Sequence, residues 1–262
     1  MAYQDTFKRL ELKYLLDRDQ YLALRKSLTG RGIAATDSYG ETQIMNIYYD
    51  TPDWRLIRTS LDKPAYKEKL RLRTYGTPAV DGSTPAFIEI KKKFDGIVYK
   101  RRVSLPYREA AEYLDRHRGR GRREELSVDG SEQILSEIDY CLDYYRGLAP
   151  AMIVSYDRIA MAGIKDKNLR ITFDAGIRWR TDRMDLRAGG DGTQILAPGQ
   201  RLMELKIAGA IPVELAELFD ELEIRTTSFS KYGQGFLMMR RMELERRQRV
   251  YEDDGILYQE AA

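Results

Sequence analysis

The chain has one cysteine, Cys141, and one histidine, His117, in 262 residues. A single cysteine excludes an internal disulfide and points to a reducing compartment. One Cys and one His together argue against a tetrahedral zinc site. A His-dependent triad would have to use His117, which sits in the basic run LDRHRGRGRR (114–123) and is a poor candidate. Cys141 lies in EIDYCLDYY (137–145) and reads as a helix packing residue. No apolar run has the length to span a bilayer, and the opening MAYQDTFKRL lacks the pattern of a signal peptide. A soluble, cytoplasmic protein without a membrane segment is therefore expected. Nor is the charge one-sided: 44 Lys and Arg against 41 Asp and Glu leave a net charge of +3. That balance argues against a simple nucleic-acid coat but leaves room for a locally basic site. No stretch is rich enough in Pro, Gly or Ser to mark a linker. One domain over 1–262 is expected, with a C-terminal tail from about residue 248 that carries no usable pattern and is read as flexible. Any chemistry has to rest on carboxylates, lysines, arginines and a hard metal.

What is present in quantity is alternation. Strand-like segments occupy 7–16, 42–51, 66–75, 86–95, 97–105, 152–163, 168–180 and 201–209, with Gly and Pro at many joints. Helical segments intervene. DRDQYLALRKSLTGRG starts at Asp17 or Asp19 as N-cap and carries Tyr21, Leu22, Leu24 and Leu28 as a stripe. YREAAEYLDRHR, SEQILSEIDYCLDYYRGL with Ser131 as cap, PVELAELFDEL with Pro212 in its first turn, and SKYGQGFLMMRRMELERRQR follow. The expected class is α+β with a largely antiparallel sheet.

In RLELKY (9–14), Arg9, Glu11 and Lys13 share one face of a strand, and Leu10 and Leu12 take the other. Lys69, Arg71 and Arg73 alternate with Leu70 and Leu72 in the same way. Glu89, Lys91 and Lys93 do so with Ile88 and Ile90, Glu204 and Lys206 with Leu205 and Ile207, and Arg170, Thr172 and Asp174 with Leu169, Ile171 and Phe173. A solvated face normally carries Thr, Ser and Gln as well; these faces are almost wholly Arg, Lys and Glu. A closed antiparallel barrel of about eight strands, with helices on its apolar outside and charges in its lumen, accommodates the set. Inward cations then need an anion to offset lost hydration. Guanidinium groups match phosphate oxygens, and the few acids suit Mn²⁺ or Mg²⁺ shared with phosphate.

These residues resemble the triphosphate tunnel metalloenzymes, the group that includes the CYTH phosphatases. More specifically they resemble the VTC (vacuolar transporter chaperone) domain, the polyphosphate polymerase branch. The similar segments run in order: RLELKY, IYYDT (47–51), KLRLRTYG (69–76), FIEIKKK (87–93), YDRIAM (156–161), LRITFD (169–174), MELKIAG (203–209) and SFSKYGQG (228–235). The resemblance implies catalytic phosphate contacts from Lys13, Arg71, Arg73, Lys91, Arg158 and Arg170. It implies substrate binding along the tunnel by Arg9, Lys93, Lys100, Lys206 and Lys231. Glu204 is implied as the metal-holding glutamate, with Glu11 and Glu89 as further metal or salt-bridge partners. Eukaryotic members often add an SPX domain or transmembrane helices, and these 262 residues show neither pattern.

The implied reaction transfers the ATP γ-phosphoryl group to a polyphosphate chain, so ATP and polyphosphate are the expected partners, with a membrane-protein partner a further option. A tunnel tri(poly)phosphatase or nucleoside triphosphatase is the first alternative, since it would use nearly the same lumen. A non-catalytic polyphosphate- or nucleic-acid-binding module resting on RHRGRGRR (116–123) is the second. Glu124 and Glu125 follow that run at once, so it reads as a solvated loop and nucleic acid is not expected. Tyr48, Tyr49 and Tyr75 are candidates to stack on adenine, although strand aromatics mostly belong to cores.

Overall fold

The computed structural model describes the backbone of residues 9–95, 97–116 and 130–260, and the side chains of 10–95, 97–115 and 130–249. His117 and nearly all of the basic run 116–123 lie outside the described residues.

The sheet is built from β1 (Arg9–Leu16), β2 (Ala34–Asp50), β3 (Tyr66–Tyr75), β4 (Pro85–Phe94), β5 (Ile97–Pro106), β6 (Ala149–Gly163), β7 (Arg170–Arg180), the two-residue β8 (Thr193–Gln194) and β9 (Arg201–Ala208). Its order is β1-β9-β7-β6-β2-β3-β4-β5 with β8 on β7, antiparallel at every pairing. Among the described residues no ladder joins β1 to β5, so the closed barrel expected from the sequence is corrected to an open sheet. The free edge of β1 is taken instead by the chain leading into the last helix. Thr226 bridges Tyr14, and the Thr227 N–H donates to the Lys13 carbonyl at 2.7 Å. The outer edge of β5 is charged, with Lys100, Arg101 and Arg102 in succession, a common protection against edge pairing.

Open as it is, the sheet curls strongly. Five strands separate β1 from β4 along the ladder, yet Lys91 of β4 is an electrostatic neighbour of Glu11 and Lys13 on β1. Register keeps the alternating faces aligned: Lys67, Lys69 and Arg71 stand opposite Lys93, Lys91 and Glu89, and Lys13 stands opposite Glu204.

The apolar face carries two cores. Leu70, Leu72, Ile88, Ile90 and Val103 pack beneath α3 (Tyr107–Arg116) and α4 (Glu132–Tyr144), where Cys141 is buried and its thiol is pushed up by that burial. Tyr14, Ile171, Phe173, Met203 and Leu205 pack beneath α1 (Arg18–Gly30) and α5 (Val213–Glu221). Asp17 caps α1 in a full capping box with Gln20, whereas Ser131 occupies the N-cap of α4 without a side-chain bond.

A third core lies on the charged face. Ile44, Tyr48, Val154, Tyr156 and Trp179 meet Tyr232, Phe236 and Met239 of α6 (Lys231–Glu260) there. The expected arrangement, with apolar side chains confined to the outside, is corrected accordingly: α6 fills one part of the concave side and leaves the other to charge. Gly235 permits this approach, since a Cβ there would lie 2.7 Å from Met152 Sδ and 3.2 Å from the Trp179 side chain. Gly235→Val is expected to cost about 1–3 kcal/mol by overpacking, read as a lower urea midpoint. α2 (Arg55–Leu61) is an element without a sequence signal. Its start is set by the Asp50 carboxylate, which accepts from the Leu56 and Ile57 N–H groups at 2.8 and 3.0 Å and from the Tyr232 hydroxyl at 2.8 Å.

Candidate active site

Period-two spacing delivers charged side chains from seven strands, β1, β3, β4, β5, β6, β7 and β9, to the concave side, where they form two ion clusters and a row of lysines.

The first cluster centres on Asp174 of β7 and Glu204 of β9. Lys231, the first residue of α6, lies 2.5 Å from Asp174 Oδ2 and 2.8 Å from Glu204 Oε1. Arg158 of β6 grips Asp174 through Nε at 2.5 Å and Nη2 at 2.6 Å, and reaches Glu204 Oε2 at 3.1 Å. Lys13 stands 3.7 Å from Glu204 and 3.9 Å from Glu11, and donates to the Phe229 carbonyl at 2.8 Å. Burial opposes the charge on Glu204, but Lys231, Arg158 and Lys13 outweigh it and hold the carboxyl well below the ordinary range. Lys206 closes the cluster toward the rim, 3.7 Å from Glu11.

The second cluster is organised by Glu89, which is buried. Arg71 Nη2 and Lys100 Nζ each lie 2.6 Å from its oxygens, and Arg73 Nε lies at 3.7 Å. Burial works against ionisation of Glu89, yet these three cations bring its pKa down to about 2. Arg73 also donates to Asn46 Oδ1 at 2.8 Å, and Arg71 donates to the Tyr48 hydroxyl at 3.1 Å. Glu89, implied as a metal or salt-bridge partner, makes salt bridges here to Arg71, Arg73 and Lys100.

Between the clusters run Lys69 and Lys91, with Lys67 and Lys93 beyond them. Lys67, Lys93, Lys63 and Ser228 line a cavity of about 360 Å³ at the end of this row. Arg170 stands on the rim, exposed, with Asp37 3.9 Å away and apart from both clusters. Arg9 opens β1 opposite Ala208, and its side chain is outside those described.

Sequence reasoning did not select Asp174 as a site residue, although it lies on the charged face of LRITFD. Lys69 and Asn46 were also passed over. Among the tyrosines, Tyr48 stacks on Tyr232 with centroids 4.3 Å apart and planes 7° from parallel, which commits its ring to α6. Tyr49 is buried in the first core, and Tyr75 packs edge-on against Phe87.

Among the described residues no three His, Cys, Asp or Glu side chains converge to hold a metal. Glu11 and Glu204 are close enough to repel one another electrostatically. Burial disfavours the charge on Glu11, but Lys91, Lys206 and Lys13 outweigh it and keep the carboxyl low. Two ionised carboxylates fit a hard cation that takes its remaining oxygens from a bound phosphate. The arrangement can bind an extended polyanion, neutralise charge developing on it and seat a divalent cation at one end.

A family model described as VTC domain matches residues 8–240. No curated protein matches. Among solved structures, the chain is similar to a provisionally named adenylate cyclase from Vibrio parahaemolyticus, with 13% identity, 86% of this chain and 96% of that one covered, and a TM-score of 0.44. It is similar to a provisionally named adenylyl cyclase from Hippeastrum with a dominant triphosphatase activity, with 15% identity, coverages of 87% and 94%, and a TM-score of 0.47. The Mimivirus capping enzyme triphosphatase matches at 11% identity, coverages of 83% and 90%, and a TM-score of 0.33.

Proposed function

The chain belongs to the VTC domain family, and on that premise we propose that it is an inorganic polyphosphate polymerase. It would transfer the γ-phosphoryl group of ATP to the end of a polyphosphate chain. The observation that carries this reading is the length of the cationic row. Lys67, Lys69, Arg71 and Arg73 are successive same-face residues of β3, and three steps of two residues span about 20 Å. Lys93 and Lys91 parallel them on β4. Such a row serves a chain longer than one triphosphate.

In the transfer, an oxygen of the terminal phosphate attacks the γ-phosphorus, the bond from that phosphorus to the β–γ bridging oxygen breaks, and ADP leaves with the bridging oxygen. The attacking oxygen is already ionised, so no general base is required and the scarcity of histidine and cysteine is no handicap. Arg71, Arg73, Lys91 and Arg158 neutralise the oxygens of the transferring group, and Lys13 and Lys231 hold the flanking phosphates. Catalysis of this kind is positioning plus charge stabilisation. Mn²⁺ or Mg²⁺, held by Glu204 and Glu11, would supply charge neutralisation at the nucleotide phosphates. Lys93, Lys100 and Lys206 would guide the chain, with Arg170 at the rim.

Incubating the purified protein with ATP and Mn²⁺ or Mg²⁺ tests the proposal. A ladder of long phosphate chains on a gel, with ADP released in step, is the expected result. Orthophosphate as the only phosphate product would replace polymerase by triphosphatase. Glu204→Ala is expected to abolish turnover together with its metal dependence.

A further inference from the structure

Lys69 lies at the middle of the row, and among the described residues neither it nor Lys67 beside it has a carboxylate partner. Its strand neighbours are Lys67 and Arg71, Lys91 faces it from β4, and Lys13 faces it from β1. From the segment leading into α6 it meets only the Ser230 hydroxyl, 3.1 Å from its Nζ, and the Tyr232 ring, whose centroid is 6.0 Å away and whose hydroxyl is bound to Asp50. No ion pair to Lys69 exists among the described residues, whereas Arg71, Lys13 and Lys231 each have carboxylate partners. An amino group in such company lacks the counter-charge that would stabilise its ammonium form. Burial, followed by Lys91, Lys13, Lys67 and Arg71, lowers its pKa to about 7.

We propose that Lys69 is a substrate-contacting residue whose missing counter-charge is the phosphate chain, so that binding the chain draws a proton onto the protein at this position. The inference rests on the polyphosphate reading and adds a residue and a proton balance to it. In the free protein near pH 8 the Lys69 amine is mostly neutral and Ser230 holds it in place. A chain laid along β3 and β4 brings negative oxygens to Nζ, the ammonium form becomes the stable one, and one proton is taken from solvent. Binding is then tightest below about pH 7, where the proton is already present. It weakens as pH rises, by at most about tenfold per unit, until the pKa of the bound state is passed.

Long-chain inorganic polyphosphate, without ATP, is the probe, because each interior group carries one strongly acidic oxygen that stays ionised throughout the titration. Calorimetric titration at pH 8 in two buffers of different ionisation enthalpy counts the protons taken up. Other lysines of the row add a background common to all variants, so the difference between variants is the measurement. Lys69→Arg, which keeps its charge, is expected to bind with about one proton fewer taken up and a flatter pH profile. Lys69→Met is expected to lose the same proton and to bind more weakly. A thermal melt confirms that each variant folds, and removing a charge from a cationic cluster gives no reason for destabilisation. Equal proton uptake and equal pH slopes in wild type and Lys69→Arg would overturn the role of Lys69 and leave the polyphosphate reading standing. A wild type that binds no polyphosphate would overturn that reading, and this inference with it.

Discussion

Lys231→Met is expected to lower the stability of the protein by about 3–5 kcal/mol, the usual consequence of removing one partner from a buried ion cluster. Asp174 is fully buried and Glu204 is 9% exposed, and Lys231 touches both. Without it the two carboxylates share the Arg158 guanidinium, with Lys13 at 3.7 Å as the only other cation on Glu204 among the described residues. The position itself argues that the acids hold the lysine there. A cation in the first turn of a helix faces the positive end of the helix dipole, which is unfavourable by about 0.3–1 kcal/mol. The pH dependence follows from the depressed carboxyl of Glu204. Stabilisation from a lowered acid is fully present above its unfolded value near 4.5 and fades as pH falls through the folded value. The gap in urea midpoint between wild type and Lys231→Met should therefore be widest near neutrality and narrow on acidification below about pH 4.5. A variant as stable as the wild type at pH 7 would mean that the desolvation of the cluster cancels its attractions.

The strands were readable because strict alternation over eight or more residues would scatter its aliphatic side chains around a helix and gathers them on one face only in a strand. All eight expected segments exist, with β2 starting earlier, at Ala34, than its apolar part suggested. The charged face was readable for the same reason. Its turning inward followed from composition, since no single strand distinguishes a solvated face from a lumen. What closes or opens the sheet was not readable. Alternation on β1 and β5 is the same whether or not the two edges pair, and the contact that caps β1 comes from Thr226 and Thr227, more than two hundred residues away in sequence. Nor did anything local indicate that Tyr232 would stack on Tyr48 and bring α6 onto the charged side, because Gly233 and Gly235 interrupt the helical pattern where the contact is made. α2 is seven residues long with no periodicity, and its N-terminal amides are satisfied by Asp50, which precedes it on β2. The Asp174–Lys231–Glu204 contacts join three elements, so Asp174 had the right face but no visible partner.

Arg71→Ala is expected to lower turnover by about 10²–10³, the range found when one donor to a developing oxyanion is removed, with stability changed by less than about 1 kcal/mol. Two neighbours make the difference between these effects. Glu89 keeps Lys100 at 2.6 Å and Arg73 at 3.7 Å after the substitution, so no buried carboxylate is stranded. At the same time Lys69 and Lys91 each lose a repulsive neighbour. Glu89→Gln reverses the balance. It leaves Arg71, Arg73 and Lys100 facing one another with a neutral amide among them, and about 3–5 kcal/mol of stability should go with the lost charge. Steady-state turnover of ATP and urea denaturation on both single variants and the double variant separate the two roles through the coupling energy. If Arg71→Ala destabilises as much as Glu89→Gln, the guanidinium belongs to the architecture of the sheet. If turnover falls while the urea midpoint holds, the guanidinium works on the phosphate and Glu89 keeps it in position.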